Sequence, residues 1–168
     1  MSDSAFGRRM EAVDYLMFRG EHDPRSRSAM LSLALLDVTP DFERVRAAFE
    51  RASRSVLRLR QHVVVPTLPI ADPQWIVDPD FDLDYHVRRV RLSGDGTLRD
   101  LLDYAQPILS APLDTARPLW EAYLVEGVAI DGVEAALLLK LNHAITDGRA
   151  ARSQVEHEPS GGQHGCLR

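Results

Sequence analysis

Apolar residues recur at spacings of three and four in three segments, residues 10–18, 42–60 and 98–109. This spacing places the apolar side chains on one face of an α-helix, so each segment is predicted to be an amphipathic helix. Thr39 precedes the middle segment as a candidate N-cap, and Pro40 as a first helical residue. Proline suits that position because the first turn of a helix leaves its amide hydrogens unbonded.

Two further segments have the composition of β-strands. Residues 29–38 (AMLSLALLDV) are almost continuously apolar, and their length favours a buried strand, although a buried helix could have the same composition. Residues 85–92 alternate imperfectly between apolar and polar side chains and are predicted to form a half-exposed strand.

The C-terminal part of the pattern predicts a β-hairpin. Residues 120–125 (WEAYLV) and 134–141 are strand-like, and the glycines that bound residues 127–132 mark the hinge between them. Short strands are also expected at residues 63–65 and 75–77. Because strands and helices alternate along the chain, the predicted fold class is α/β.

Composition limits the classes of protein that fit this pattern. The chain has 168 residues, which suits one domain, and its net charge of −5 argues against a nucleic-acid partner. Cys166 is the only cysteine, so no disulfide framework is expected. No signal-peptide pattern and no run of about 18 apolar residues occurs. We therefore expect a cytoplasmic protein, or one attached peripherally to membranes or lipid bodies.

Several other side chains have an expected structural role or could form a binding site. Trp75 and Trp120 are expected in the core, and Arg117 is expected to pair locally with Asp114. His157, His164 and Cys166 match no standard zinc spacing, so no metal is expected. Six arginines of the middle helix could contact anionic lipid or phosphate, but a solvated helix face is favoured: Arg44, Arg46, Arg51, Arg54, Arg58 and Arg60.

Candidate chemistry lies in residues 141–148 (LNHAITDG), where an apolar strand runs into an Asp-Gly turn. A histidine just past a strand end can be partly solvated, and an imidazole with a pKa of about 6.5 can act as a general base near neutral pH. His143 is therefore a candidate catalytic base, Asp147 a candidate structural brace, and Gly148 a position of unusual backbone freedom. A purely structural histidine beside a turn is the alternative.

Residues 142–148 (NHAITDG) resemble the HHxxxDG motif of the acyl-CoA-dependent acyltransferase superfamily. The resemblance implies that His143 is the catalytic histidine, with Asp147 in structural support and Gly148 completing the motif. Asn142 stands where these proteins usually have the first histidine, and an amide cannot titrate, although it can form hydrogen bonds within the loop.

Three more segments narrow the resemblance to the wax ester synthase/diacylglycerol acyltransferase family. They are MEAVDYLMFRGE, FDLDYHVRRVRL and PLDTARPLWEAYLVEGV, which occur in the family's order. The last contains a PLW motif, Pro118, Leu119 and Trp120, for which a substrate-binding role is expected. The resemblance implies a chloramphenicol acetyltransferase-like half-fold, a mixed sheet packed by helices, with residues 1–152 as an N-terminal acyltransferase subdomain.

The implied function is transfer of a fatty acyl group from acyl-CoA to diacylglycerol or a long-chain alcohol. Acyl-CoA is then a substrate, and no cofactor is expected. Residues 153–168 resemble nothing in the family and are expected to be a disordered tail, as a frameshift or premature end would produce. The expected partner is a missing C-terminal half. The alternatives are a non-catalytic fragment, or a condensation-type acyltransferase with another acceptor. Acceptor, acyl chain length and oligomeric state are not predicted.

Overall fold

The computed structural model describes residues 8–67 and 72–145, which form two sheets and four helices. The helices are α1 (Ala12–Arg19), α2 (Phe42–Ser55), α3 (Leu83–His86) and α4 (Leu98–Ser110). The strands are β1 (Arg8–Arg9), β2 (Ala29–Leu36), β3 (Gln61–Val64), β4 (Gln74–Val77), β5 (Val87–Arg91), β6 (Trp120–Ile130) and β7 (Val133–Asn142). Short 3-10 turns occupy Gly20–His22, Leu57–Arg60 and His143–Ile145.

The main sheet has four strands in the order β2-β7-β6-β5. Strand β7 pairs antiparallel with both β2 and β6, whereas β5 runs parallel to β6. The small sheet has the order β1-β4-β3 and is antiparallel. A mixed sheet packed by helices confirms the predicted α/β class. Strand β7 lies between β2 and β6, so it is an interior strand of the main sheet and not an edge strand.

The strand at residues 29–38 differs from the buried strand that its composition predicts. It is strand β2, which forms the edge of the main sheet and pairs only with β7. Its middle residues are exposed, with Leu33 at 37% and Leu35 at 46%. Composition cannot identify an edge strand, because edge position depends on which other segments pair with it.

The start of helix α2 also corrects a prediction. Asp41, not Thr39, is the N-cap: its carboxylate accepts a hydrogen bond of 3.0 Å from the amide of Arg44. Thr39 instead donates its amide to the carboxylate of Glu134 at 3.2 Å. Aspartate is favoured over threonine as an N-cap residue, so Asp41 caps the helix when both residues precede it. The helix ends at Ser55, earlier than predicted, and the separate 3-10 turn Leu57–Arg60 follows it.

Two strand boundaries also differ from the predictions. The segment at residues 85–92 begins as the one-turn helix α3 and becomes strand β5 only at Val87. The hinge of the hairpin is shorter than residues 127–132, because β6 continues to Ile130 and only Asp131 and Gly132 separate it from β7. Gly127 lies within β6 at an irregularity in the pairing, with φ of +76°. A residue in this left-handed conformation is tolerated inside a strand where the ladder is interrupted.

The core confirms the expected positions of both tryptophans, since Trp75 and Trp120 are fully buried. Three of the six arginines of the α2 region form ion pairs within the chain: Arg46 contacts Asp84 at 2.6 Å, and Arg54 and Arg60 contact Glu50 at 2.7 and 2.8 Å. Arg117 lies 3.5 Å from Asp114, as expected. Across residues 8–67 and 72–145, no helix combines the length and apolar character needed to cross a membrane.

Candidate active site

His143 is the first residue after strand β7, and it opens the 3-10 turn His143–Ile145. It is exposed, whereas Asn142 before it and Ala144 and Ile145 after it are buried. Its backbone amide donates a hydrogen bond of 3.2 Å to the carbonyl of Ser28. The turn is therefore hydrogen-bonded to the residue that precedes β2, its last two residues are buried, and His143 is exposed to solvent.

Asn142, the residue before His143, is completely buried. Its amide Nδ2 donates a 2.6 Å hydrogen bond to Glu21, and its Oδ1 accepts a 2.9 Å hydrogen bond from the backbone of Ala144. Its own backbone amide donates to the carbonyl of Leu119 at 3.0 Å. These contacts give Asn142 the loop-bracing hydrogen bonds that its amide group was expected to allow.

Glu21 is a part of this site that the sequence analysis missed. It lies in the 3-10 turn Gly20–His22 that follows α1, and its side chain is completely buried. The signal that could have found it is weak: a glutamate directly after a glycine at a helix end usually faces solvent. Gly20 permits the close approach of this turn to Ser26, because a Cβ there would lie 2.5 Å from the backbone oxygen of Ser26.

The PLW motif lies in the core beneath the site. Pro118, Leu119 and Trp120 are all buried, and Trp120 Nε1 donates a 2.8 Å hydrogen bond to the carbonyl of Leu59. Leu119 supports the site directly, since its carbonyl accepts the amide of Asn142. The motif therefore has a clear packing role, and substrate contact by these three residues stays a prediction.

A buried histidine, His86, packs against the same motif. Its Nδ1 donates a 2.7 Å hydrogen bond to the carbonyl of Trp120, so the neutral ring carries no proton on Nε2. Burial lowers the pKa of His86 below its usual value, although the Trp120 carbonyl opposes that shift. His86 is consequently a neutral structural residue at physiological pH.

Some predicted site residues lie outside the described residues. Asp147 and Gly148 are among them, as are His157, His164 and Cys166. Within the described ranges no group of three or more acidic, histidine or cysteine residues could hold a metal ion. The described part of the site thus consists of His143, the buried pair Asn142 and Glu21, and the packed PLW segment.

Comparison with protein families identifies this arrangement. The family described as wax ester synthase/diacylglycerol acyltransferase catalytic domain matches residues 1–157. The chain belongs to the wax ester synthase/diacylglycerol acyltransferase family. A relative from Mycobacterium tuberculosis strain H37Rv, Rv2484c, a candidate diacylglycerol O-acyltransferase, is 65% identical over 136 residues. That match covers 81% of this chain but 27% of the relative's length.

Solved structures agree with the family assignment at the level of the fold. The wax ester synthase/diacylglycerol acyltransferase from Marinobacter aquaeolei VT8 superposes with a TM-score of 0.63 at 23% identity, covering 88% of this chain and 37% of that chain. A variant of the starter condensation domain of rhizomide synthetase RzmA, in complex with C8-CoA, superposes with a TM-score of 0.66 at 10% identity. It covers 83% of this chain and 31% of that chain. The family fold therefore extends over nearly all of the described residues, while the chain spans roughly a third of these longer proteins.

Proposed function

We propose that this chain supplies the general base of an O-acyltransferase that moves a fatty acyl group from acyl-CoA to diacylglycerol or a long-chain alcohol. The observation that carries the proposal is the exposed His143 at the end of β7, set between buried neighbours on a hydrogen-bonded turn. Family membership and the name of Rv2484c support the reaction class.

In the proposed reaction the neutral imidazole of His143 takes the proton of the acceptor hydroxyl as its oxygen attacks the thioester carbonyl. The carbon–sulfur bond then breaks, the ester leaves, and the CoA thiolate receives the proton from the imidazolium. Atoms and charges balance without a cofactor or a covalent enzyme intermediate. General base catalysis of this type contributes about 10²–10⁴-fold to the rate.

Asp147 and Gly148 complete the proposed site as structural supports of the loop. Asn142 takes the place of a titrating first histidine and serves as a brace. Pro118, Leu119 and Trp120 are proposed to line or support the substrate-binding region. These roles rest on the match to the family motif, and for the last three on their packing beneath the His143 turn.

The reaction is proposed to require polypeptide equivalent to the remaining length of the relatives, because both substrates must be held and oriented together. One observation favours an associating rather than an independently catalytic unit: apolar side chains are exposed on the sheets, among them Leu33, Leu35 and Val77. Large exposed apolar areas mark interaction surfaces. If the chain is such a unit, its size in solution should increase with concentration.

The proposal is tested by ester formation from radiolabelled oleoyl-CoA with dioleoylglycerol, hexadecanol or an amine acceptor, measured for this chain alone and with the complementary C-terminal portion of Rv2484c added. His143→Ala should lower the rate about 10²–10⁴-fold. His22→Ala is the matched control, because His22 is also exposed and lies in a 3-10 turn. Full activity in His143→Ala contradicts the role of His143, and a preference for the amine favours the condensation-type alternative.

Contact with a membrane or lipid body is part of the proposal, because both acceptors partition into lipid rather than water. It is tested by flotation of the chain with phosphatidylcholine vesicles that contain dioleoylglycerol. Recovery of the protein with the vesicles supports peripheral attachment, and recovery only from the aqueous fraction contradicts it.

A further inference from the structure

We infer that Glu21 is a positioning residue of this site: its buried carboxylate orients the Asn142 side chain, and Asn142 in turn holds the backbone turn that presents His143. The inference deepens the proposed function and rests on it for its catalytic consequence. Its structural part concerns only contacts among residues 21, 113, 142 and 144 and can be tested without any assay of activity.

The carboxylate of Glu21 meets hydrogen-bond donors from two distant parts of the chain. Oε1 accepts a 2.8 Å hydrogen bond from the backbone amide of Leu113, and Oε2 accepts a 2.6 Å hydrogen bond from Nδ2 of Asn142. The Nε of Arg27 lies 3.7 Å from Oε1 and is itself largely buried. Burying a carboxylate is costly unless donors replace its water, so this set of contacts determines where Glu21 can be accommodated.

The carboxylate decides which way the Asn142 amide faces. An ionised carboxylate can only accept hydrogen bonds, so it must face the NH₂ group of Asn142 rather than its oxygen. The oxygen is thereby directed at the backbone amide of Ala144, which it accepts at 2.9 Å. Ala144 is the residue after His143, so the orientation of one buried amide group sets the turn on which the imidazole is carried.

The donor and acceptor pattern of these hydrogen bonds makes a prediction that side-chain volume alone does not make. In Glu21→Gln, the new side-chain NH₂ group must face another donor, either the backbone N–H of Leu113 or the NH₂ group of Asn142. The Asn142 amide cannot flip to relieve this, because its oxygen would then lose the hydrogen bond from the backbone of Ala144. In Asn142→Asp, two carboxylates face each other. In the double variant Glu21→Gln/Asn142→Asp, every donor again faces an acceptor, and the side chains keep nearly the same size. Rescue by the double variant is therefore specific to the polarity of the contact.

The structural test uses the full chain and backbone amide hydrogen exchange measured by NMR. Glu21→Gln should accelerate exchange at Ala144 by about tenfold or more, since loss of one buried hydrogen bond costs on that scale. The double variant should restore the wild-type exchange rate. Glu11→Gln is the matched control, because Glu11 is an exposed glutamate at the other end of α1 and its side chain makes no cap hydrogen bond.

Each outcome of this test decides the inference. Unchanged exchange at Ala144 in Glu21→Gln overturns it, as does a double variant that behaves no better than the single variants. If Glu21→Gln fails to fold, folding of the double variant with a protected Ala144 amide supports the inference, and failure of both overturns it.

The catalytic consequence is tested in the ester-formation assay. Glu21→Gln should lower kcat by about 10–100-fold, because a small displacement of a reacting group has an effect of this size, with KM for oleoyl-CoA unchanged. The double variant should recover kcat. Loss of Ala144 protection without loss of kcat overturns the positioning role, whereas an active His143→Ala variant overturns the proposed function and leaves the exchange result standing.

Discussion

The imidazole of His86 stacks on the indole of Trp120 with 4.6 Å between the ring centroids, and it donates Nδ1–H to the carbonyl oxygen of the same residue at 2.7 Å. Phe81 stacks with the imidazole at 5.2 Å, and Phe49 stacks with the indole at 5.7 Å. Four rings thus form a series of stacked pairs that includes Trp120 of the PLW motif. Within the described residues, Nε2 of His86 has no hydrogen-bond partner.

This series of stacked pairs should make stability depend on pH. Burial lowers the pKa of His86, so between the folded and unfolded pKa values the unfolded chain binds more protons and stability falls as pH decreases. The facing charges are those of Glu121, Arg117 and Asp78, of which the two carboxylates raise the pKa and the arginine lowers it. We expect thermal unfolding to occur at lower temperature at about pH 5.5 than at about pH 7.5.

His86→Phe keeps an aromatic ring in the series of stacked pairs but cannot titrate, so the pH dependence of its thermal unfolding should be weaker than that of the wild type. His22→Ala serves as the control for an exposed histidine, and it should retain the wild-type dependence. An equal drop in melting temperature for His86→Phe and the wild type would contradict the assignment of this dependence to His86.

The hydrogen bond from Trp120 to Leu59 can be measured with the second buried tryptophan as a reference. Trp120 Nε1 donates to the Leu59 carbonyl at 2.8 Å, whereas Trp75 Nε1 has no partner among the described residues. Trp120→Phe should therefore lower the free energy of unfolding by about 1 kcal/mol more than Trp75→Phe does. Urea denaturation measures both. A raised KM for acyl-CoA in Trp120→Phe with unchanged stability would instead favour substrate contact.

The N-cap of α2 provides a direct comparison of two neighbouring residues. Asp41→Ala should lower the free energy of unfolding by about 1 kcal/mol, because the amide of Arg44 loses its acceptor. Thr39→Ala should have the smaller effect, since its hydroxyl makes only a long 3.4 Å contact with the Glu134 carbonyl. The measurement is urea denaturation of both variants. A larger decrease in the free energy of unfolding for Thr39→Ala than for Asp41→Ala would contradict the assignment of Asp41 as the N-cap.

Lys140 is the only lysine of the chain and is almost completely buried. Its Nζ donates to the carbonyl oxygens of Ile108 at 2.7 Å and Ala111 at 2.6 Å, which lie at the C-terminal end of α4. Helix ends leave such carbonyls unpaired, so Lys140→Met should lower the free energy of unfolding by about 1–3 kcal/mol.

Arg99→Met is the control for Lys140→Met, since Arg99 is an exposed cation on α4, the helix whose C-terminal end Lys140 contacts, and its loss should change stability little. Thermal unfolding of the two variants gives the comparison. If Lys140→Met is as stable as the wild type, the cost of burying the ammonium group equals the gain from its two hydrogen bonds.

The parts of the molecule that could be predicted from sequence depend on neighbouring residues. The spacing of Phe42, Val45 and Phe49 predicted α2, and the alternation after Trp120 predicted β6. The strand that runs into residues 141–148 indicated that His143 can be partly solvated just past a strand end, and the structure places His143 exposed directly after β7. These features depend on backbone geometry and side-chain period over a few turns or residues, so the local pattern is sufficient to indicate them.

The remaining features depend on pairs that are far apart in sequence. Glu21 meets Asn142 across 121 positions, and Lys140 reaches Ala111 across 29. No local spacing indicates that a glutamate after a glycine will be buried, or that the apolar strand 29–38 will lie at a sheet edge. The sequence by itself thus determined the main helices and strands, although not all of their boundaries, together with the family and the identity of the candidate base. Only the tertiary structure decided which buried polar groups meet beneath that base, because the pairing of a buried polar group is set by whichever distant segment the fold brings within hydrogen-bond distance.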